Sequence, residues 1–220
     1  APKRIAELEE LIRQRTSSVL DSLPLGEEFD WVDKVSIELT TQLLATLFDF
    51  PWDDRRLLPY WSDIASSNET TGNLEVDAAH RQSVMTECLE YMARLFQERA
   101  TQEPKMDFLS LLAHNPQTRN MLDDPMEFLG NVTLLIIGGN DTTRHSMSGG
   151  VLFMDQNPAE FKKLKQNRSL IPNAVSEIIR YQTPVAHMRR TATQDTEIRG
   201  QKIRKGDRVV IWYVSGNRDD

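Results

Sequence analysis

Leu134-Leu135-Ile136-Ile137-Gly138-Gly139-Asn140-Asp141-Thr142-Thr143 is the stretch that decides how this 220-residue chain folds and what it does. It sits in the middle of the longest element the pattern predicts, a helix from about Pro125 to Asp155. Asp124 caps that helix, and proline takes its first position. Two adjacent glycines inside a helix cost about 1 kcal/mol each relative to alanine. The Asp-Thr-Thr run that follows favours caps over helix interiors. A core helix that tolerates both gains something else there. Without Cβ atoms the backbone can meet a flat or bulky ligand, and a weakened ladder lets the helix bulge and expose a carbonyl. One turn on, Thr142 can bond the carbonyl of Gly138 or a bound ligand, and Asp141 beside it can pass protons. A packing explanation stands equally open, with the glycines serving close helix contact and Asp141 capping a second helix that starts there.

Outward from this segment the chain reads mainly as helix. Ile5, Leu8, Leu11, Ile12, Val19 and Leu20 fall on one face and predict a first helix over about 3–22. Asp30 is the expected cap of a second, with Val35, Leu39, Leu43, Leu44 and Leu47 inward and Pro51 as its stop. A short helix over about 58–65 precedes a polar loop, Ser66–Gly72. A long helix follows over 74–100, striped by Val84, Cys88, Tyr91, Leu95 and Phe96, and a short one over 107–113. On that stripe Cys88 reads as a small buried hydrophobe rather than a reactive thiol. Two more helices, over 158–165 and 172–181, lead into short extended pieces at 190–192, 196–199, 202–204 and 208–213, with turns at Gly200-Gln201 and Lys205-Gly206-Asp207. The expected class is mainly α with a small C-terminal β-sheet, helical over 1–185 with small β hairpins over 186–220.

Composition narrows the function. Hydrophobic residues are 39% and charged residues 27%, a globular balance, and the net charge is -7. An acidic chain lacks the positive excess that neutralises phosphates, so no nucleic-acid partner is expected. The longest apolar run, Val132–Gly139 with Thr133 inside it, is far short of the roughly 20 residues of a membrane span. The single cysteine excludes an internal disulfide and suits a reducing cytoplasm. His80, His114 and His145 show no metal-ligand spacing. Residues 160–220 carry 13 Lys and Arg against 7 Asp and Glu, so the C-terminal third is basic while the rest is acidic. That third is either a solvated face or a surface for an acidic partner.

Glu177-Ile178-Ile179-Arg180 puts an acid and a base three apart on one helix face, an ordinary pair taken alone. Taken in order with its neighbours it carries weight. Gly138-Gly139-Asn140-Asp141-Thr142-Thr143, Glu177 with Arg180, Arg190 to Asp195, Lys205-Gly206-Asp207 and Asn217-Arg218-Asp219 together resemble the cytochrome P-450 superfamily of haem-thiolate monooxygenases. Phe29-Asp30-Trp31-Val32-Asp33, Leu47-Phe48-Asp49-Phe50-Pro51-Trp52, Ile137 to Arg144 and Pro184 to Arg190 look like its soluble bacterial terminal alkane and fatty-acid hydroxylases. The resemblance runs the whole chain and implies the interior portion of that fold, an incomplete single domain. The family's cysteine loop and N-terminal part are absent, and with only Cys88 the chain holds no metal ligand.

The resemblance implies the following roles. Gly138 and Gly139 would line a groove for dioxygen over a haem b, Thr142 would hydrogen-bond the dioxygen or its water, and Asp141 would relay protons. Arg190, or Arg189 one residue away, would bond a haem propionate. Glu177 and Arg180 would be structural. Leu134, Ile137, Val185, Ala186 and Met188 are the candidate substrate pocket, each open to plain core packing as well, and His187 could join them. Electrons would come from a ferredoxin and its reductase. The alternative is a non-catalytic helical binding or scaffold domain.

Overall fold

The computed structural model describes residues 2–66 and 71–219. Helices α1 (Pro2–Asp21), α2 (Glu38–Phe48), α3 (Leu57–Ser66), α4 (Leu74–Ala100), α5 (Phe108–His114), α6 (Pro125–Gln156), α7 (Pro158–Gln166) and α8 (Ile171–Gln182) occur in that order. Strands β1 (His187–Thr191), β2 (Thr196–Ile198), β3 (Gln201–Ile203) and β4 (Arg208–Trp212) follow, then a last turn of helix, α9 (Tyr213–Gly216). The chain divides after Arg144 into two compact units, so α6 gives its first twenty residues to one and the remainder to the other.

Helix starts follow the caps read from the sequence. Asp30 Oδ1 accepts from the amides of Val32 and Asp33 at 2.8 and 3.2 Å, and Asp124 Oδ1 from those of Met126 and Glu127, both at 3.0 Å. Two caps not read from the sequence act likewise, Asn73 for α4 and Asp107, expected inside its helix, for α5. The second helix expected after Asp30 starts as a π-helix, Val32–Ile37, that runs straight into α2. Periodicity cannot show one extra residue in a single turn. The expected polar loop at Ser66–Gly72 begins where α3 ends, and its residues 67–70 lie outside the described residues.

The first unit holds the core. Leu44, Phe48, Leu58, Trp61, Cys88, Met92, Leu109, Phe128, Val132 and Ile136 are all buried, so α2, α3, α4, α5 and the start of α6 share one interior. Each such large side chain contributes about 1.5–3 kcal/mol by leaving water. Phe50 stacks on Tyr91 at 5.0 Å and meets the edge of Trp61 at 6.0 Å. Cys88 is fully buried, and burial, aided by the Glu87 charge, pushes its thiol up to about 12. Tyr91, expected on the same stripe, is only half-buried, with its hydroxyl on Asp54.

In the second unit a second glycine pair, Gly149-Gly150, brings α6 against α8. A Cβ on Gly149 would collide with the Gln182 carboxamide, and one on Gly150 would lie 3.2 Å from Ile178. Phe153 meets Tyr181 edge-on at 4.7 Å. The β part is two separate antiparallel pairs rather than one sheet. β1 pairs with β4, from His187 opposite Trp212 to Thr191 opposite Arg208, and β2 with β3 forms a hairpin nested between them. Arg199 and Gly200 both have positive φ, +50° and +80°, as the two-residue hairpin turn demands. β1 begins three residues before the expected 190, because pairing with β4 extends it through residues with no strand pattern of their own.

Candidate active site

One helix sets the geometry. Along α6, Phe128, Val132, Ile136, Asn140 and Arg144, each four residues after the last, are all buried. This inward stripe changes from apolar to polar where the glycines stand. On another side of the helix, Leu134, Gly138 and Thr142 share the same four-residue spacing, and the first two are open. Leu134 is 68% exposed, Gly138 is exposed and Thr142 is half-buried.

The two central glycines differ. Among the described residues a Cβ on Gly138 would meet nothing within 4 Å, whereas one on Gly139 would come 2.8 Å from the Leu44 Cδ2 atom of α2. Close packing therefore accounts for Gly139 and not for Gly138. The helix neither bulges nor breaks here, since α6 is α-helical without interruption, and Asp141 caps no second helix. The Thr142 hydroxyl donates to the Gly138 carbonyl at 3.2 Å, the bond expected from the spacing.

Asp141 stands in a polar cluster between α6 and α3. Its Oδ1 accepts from the Ser62 hydroxyl at 3.0 Å, the Asn140 amide at 3.0 Å and Arg144 Nη2 at 3.2 Å. Its Oδ2 accepts from the Ser66 hydroxyl at 3.2 Å. Arg144 also binds Asp63 at 2.8 Å, and Asn140 meets the Thr40 hydroxyl of α2 at 2.8 Å. Asn140 is fully buried, and the Asp141 and Arg144 side chains keep 14% and 11% of their exposure. Such a buried charge is tolerated because it is paired and hydrogen-bonded. Asn140, Arg144, Ser62, Asp63 and Ser66 were not singled out from the sequence. The i, i+3 spacing of Asp141 and Arg144 was a usable signal, the same as in Glu177 and Arg180. Ser62 and Ser66 lie more than seventy residues away and gave none.

The second unit carries the other candidates. Glu177 and Arg180 form a two-pronged pair at 2.6 and 2.7 Å on the exposed side of α8. The Arg180 hydrogen bond pulls the Glu177 carboxyl below its ordinary range. Arg180 also donates to the carbonyl of Asn217, whose side chain in turn donates to the Thr183 hydroxyl at 3.1 Å. Thr183 ends α8 in a left-handed conformation, φ +46°. Just beyond it, Val185, Ala186 and Met188 are exposed. Met188 and Arg190 share one face of β1, with Arg190 Nη1 3.8 Å from the Met188 sulfur and 3.0 Å from the Arg189 carbonyl. His187, on the opposite face with Arg189, lies beside the Trp212 ring at 4.9 Å. A groove of this unit, about 560 Å³, lies between the end of α6, α7 and α8, lined by Gly150, Phe153, Phe161, Leu164, Ile178 and Tyr181 and by none of these candidates except Glu177.

A helix that offers a bare backbone position, a hydroxyl and a hydrogen-bonded carboxylate in successive turns is equipped for proton transfer beside an apolar ligand. A family model, Cytochrome P450, matches residues 3–220, and the chain belongs to that family. Linalool 8-monooxygenase of Pseudomonas putida is 37% identical over 220 residues, spanning all of this chain and 53% of that protein. A steroid C26-monooxygenase of Mycolicibacterium smegmatis is 33% identical, with 100% and 50% spanned. Among solved structures, cytochrome P450-153 from Novosphingobium aromaticivorans superposes with a TM-score of 0.90 at 51% identity, covering all of this chain and 52% of that one. The chain thus spans about half the length of the curated relatives it matches. Among the described residues, no helix is long and apolar enough to cross a membrane.

Proposed function

We propose that this chain is the dioxygen-side portion of a haem-dependent monooxygenase that hydroxylates alkyl chains, alkanes or fatty acids, at the terminal carbon. The observation that carries this is the exposed bare backbone of Gly138 on α6, one turn after exposed Leu134 and one turn before Thr142. Among the described residues nothing packs on Gly138, and a flat apolar group would need that bare backbone. Gly138, Thr142 and Asp141 would lie against a haem, whereas Cys88 could not supply its thiolate, because it is fully buried and its thiol is held protonated. The thiolate would come from the part of the family's length that this chain does not span. When bound, the haem iron supplies the activation of dioxygen and the oxidation of the substrate C–H bond.

The chain's own residues do the rest. Gly138 leaves room above α6. The Thr142 hydroxyl, resting on the Gly138 carbonyl, holds a proton at Oγ1 beside that room. Asp141 replaces the proton from the solvent side. Leu134 and Ile137 of the first unit would exclude water and hold the apolar chain, and the resemblance gives Val185, Ala186 and Met188 of the second unit the same role. Arg190 would pair with a propionate, and Glu177 with Arg180 would brace the chain end at Asn217.

The alkyl-chain assignment rests on the four segments that resemble the terminal hydroxylases, and one redox partner class, a ferredoxin with its reductase, goes with it. The site of action would be cytoplasmic. The test is turnover by the complete protein with a ferredoxin and its reductase. Fatty acids and alkanes of graded length compete with linalool and a steroid. Terminal alcohols as the main products support the proposal. Preference for linalool or the steroid keeps the monooxygenase and overturns the alkyl-chain assignment.

A further inference from the structure

The two oxygens of Asp141 are not equivalent. Among the described residues Oδ1 accepts three hydrogen bonds, from Ser62, Asn140 and Arg144. Oδ2 accepts one, from Ser66 at 3.2 Å. Three donors on one oxygen draw its electron density and fill its lone-pair directions, so an added proton goes to the other. Ser66 is exposed at the last turn of α3, and its hydroxyl also lies 2.8 Å from the Ser62 carbonyl. One hydroxyl hydrogen has two acceptors within reach, which is the arrangement a relay needs: it rests on the carbonyl and turns to the carboxylate.

We propose that Ser66 is the solvent-side relay that reloads Asp141 with protons at Oδ2. Resting on Asp141 as the proton-passing acid, this adds the residue that connects it to water. After Asp141 gives up its proton, the Ser66 hydroxyl turns from the Ser62 carbonyl and passes its hydrogen to Oδ2. Its own oxygen takes a proton from a solvent hydronium or water. One proton crosses from solvent to Asp141, Ser66 ends unchanged, and no electron moves. The other contacts are fixed: Arg144 is anchored by Asp63 and Asn140 meets Thr40, so they hold Oδ1 in place while Oδ2 exchanges.

The test uses the complete haem-loaded protein and a pair of variants of equal shape, Ser66→Thr and Ser66→Val. Both are β-branched, and valine fills the space without a hydroxyl and keeps a substituting water out. Equal haem content from the reduced carbon monoxide spectrum shows that both fold. Ser66→Val is expected to lower coupled turnover about tenfold. That is below the roughly 10²–10⁴ of a positioned proton donor, because water still reaches the exposed edge of the site. Its solvent deuterium isotope effect should exceed the parent's, and Ser66→Thr should restore both. In the resting protein the Asp141 carboxylate infrared band, identified by its loss in Asp141→Asn, should shift in Ser66→Val and not in Ser66→Thr. If Ser66→Val matches the parent in isotope effect and band while Asp141→Asn still uncouples turnover, the relay is wrong and the role of Asp141 stands. If Asp141→Asn also behaves as the parent, the acid itself is misassigned and the relay falls with it.

Discussion

Gly138 and Gly139 are neighbours with opposite surroundings, and single substitutions should separate them. Alanine at Gly138 meets open space and gains helix propensity, so Gly138→Ala should be more stable by about 1 kcal/mol. Alanine at Gly139 forces the Leu44 side chain, 1% exposed, out of its place, which costs about 1–3 kcal/mol and cancels or exceeds the same gain. Paired denaturant titrations of the two variants read the difference directly. Function should move the other way. Gly138→Ala should change the product ratio in a competition between fatty acids of different length by on the order of tenfold, since a methylene in an apolar site is worth roughly 1–3 kcal/mol. An unchanged ratio at equal haem content would put Gly138 outside the site. At this scale the sequence showed the residues whose type is wrong for their position, Gly138, Asp141 and Thr142. It did not show Asn140 or Arg144. Their signal was burial four residues apart on a helix whose buried side only the fold reveals.

Elements are held in register by a few partly buried charges. Glu38 opens α2 and binds Arg56 at 2.6 Å, Arg55 at 3.3 Å and Gln42 at 2.8 Å. Burial raises its carboxyl, but the Gln42 hydrogen bond and the charges of Arg56 and Arg55 together outweigh burial and hold it below the ordinary value. The native state therefore keeps Glu38 ionised at pH values where the unfolded chain already takes up a proton. Its contribution is full above the unfolded pKa and fades as pH falls through the folded one. Glu38→Gln should lose about 1–3 kcal/mol at neutral pH, and the gap to the parent should close in acid. A gap independent of pH would refute the pairing. On α4 the sign is reversed. Cys88 is protonated up to about 12 in the fold but ionises near 9.0 once unfolded, so stability should fall above pH 9 by up to about 1.4 kcal/mol per pH unit. Tyr91, pushed up to about 12 first by burial and then by Asp54, adds to the same trend above pH 10. Cys88→Ala should flatten the alkaline slope, and a slope identical to the parent's would show that other groups produce it. The start of α6 was legible because the Asp124-Pro125 pair marks it, and α4 because its apolar stripe runs from Val84 to Phe96. The π turn at Val32–Ile37 and the long-range pairing of β1 with β4 were not, since neither leaves a local period.

At the scale of the whole molecule the first unit has a closed core, while the second keeps Leu152, Val175, Ile179, Ile211 and Trp212 exposed. The chain spans about half of its relatives' length, and contiguous apolar surface left open to solvent would bind other apolar groups. Residues 1–220 by themselves should bind a hydrophobic dye strongly and give no thiolate-type haem spectrum. A dye-silent monomer with that spectrum would contradict both points. The order of motifs along the chain was enough to place it in its family, because each motif fixes a backbone feature: the bare turn of α6, the Glu177–Arg180 pair that reaches Asn217, the turns of the nested hairpin. The central claim is that the middle of α6 delivers protons to dioxygen, and Thr142 is where that claim is most exposed. The deciding measurement is the ratio of hydrogen peroxide to hydroxylated product formed by complete Thr142→Ala protein at the parent's haem content. The ratio should rise several-fold while electron consumption continues; an unchanged ratio would mean that α6 is a packing helix and the proton route lies elsewhere.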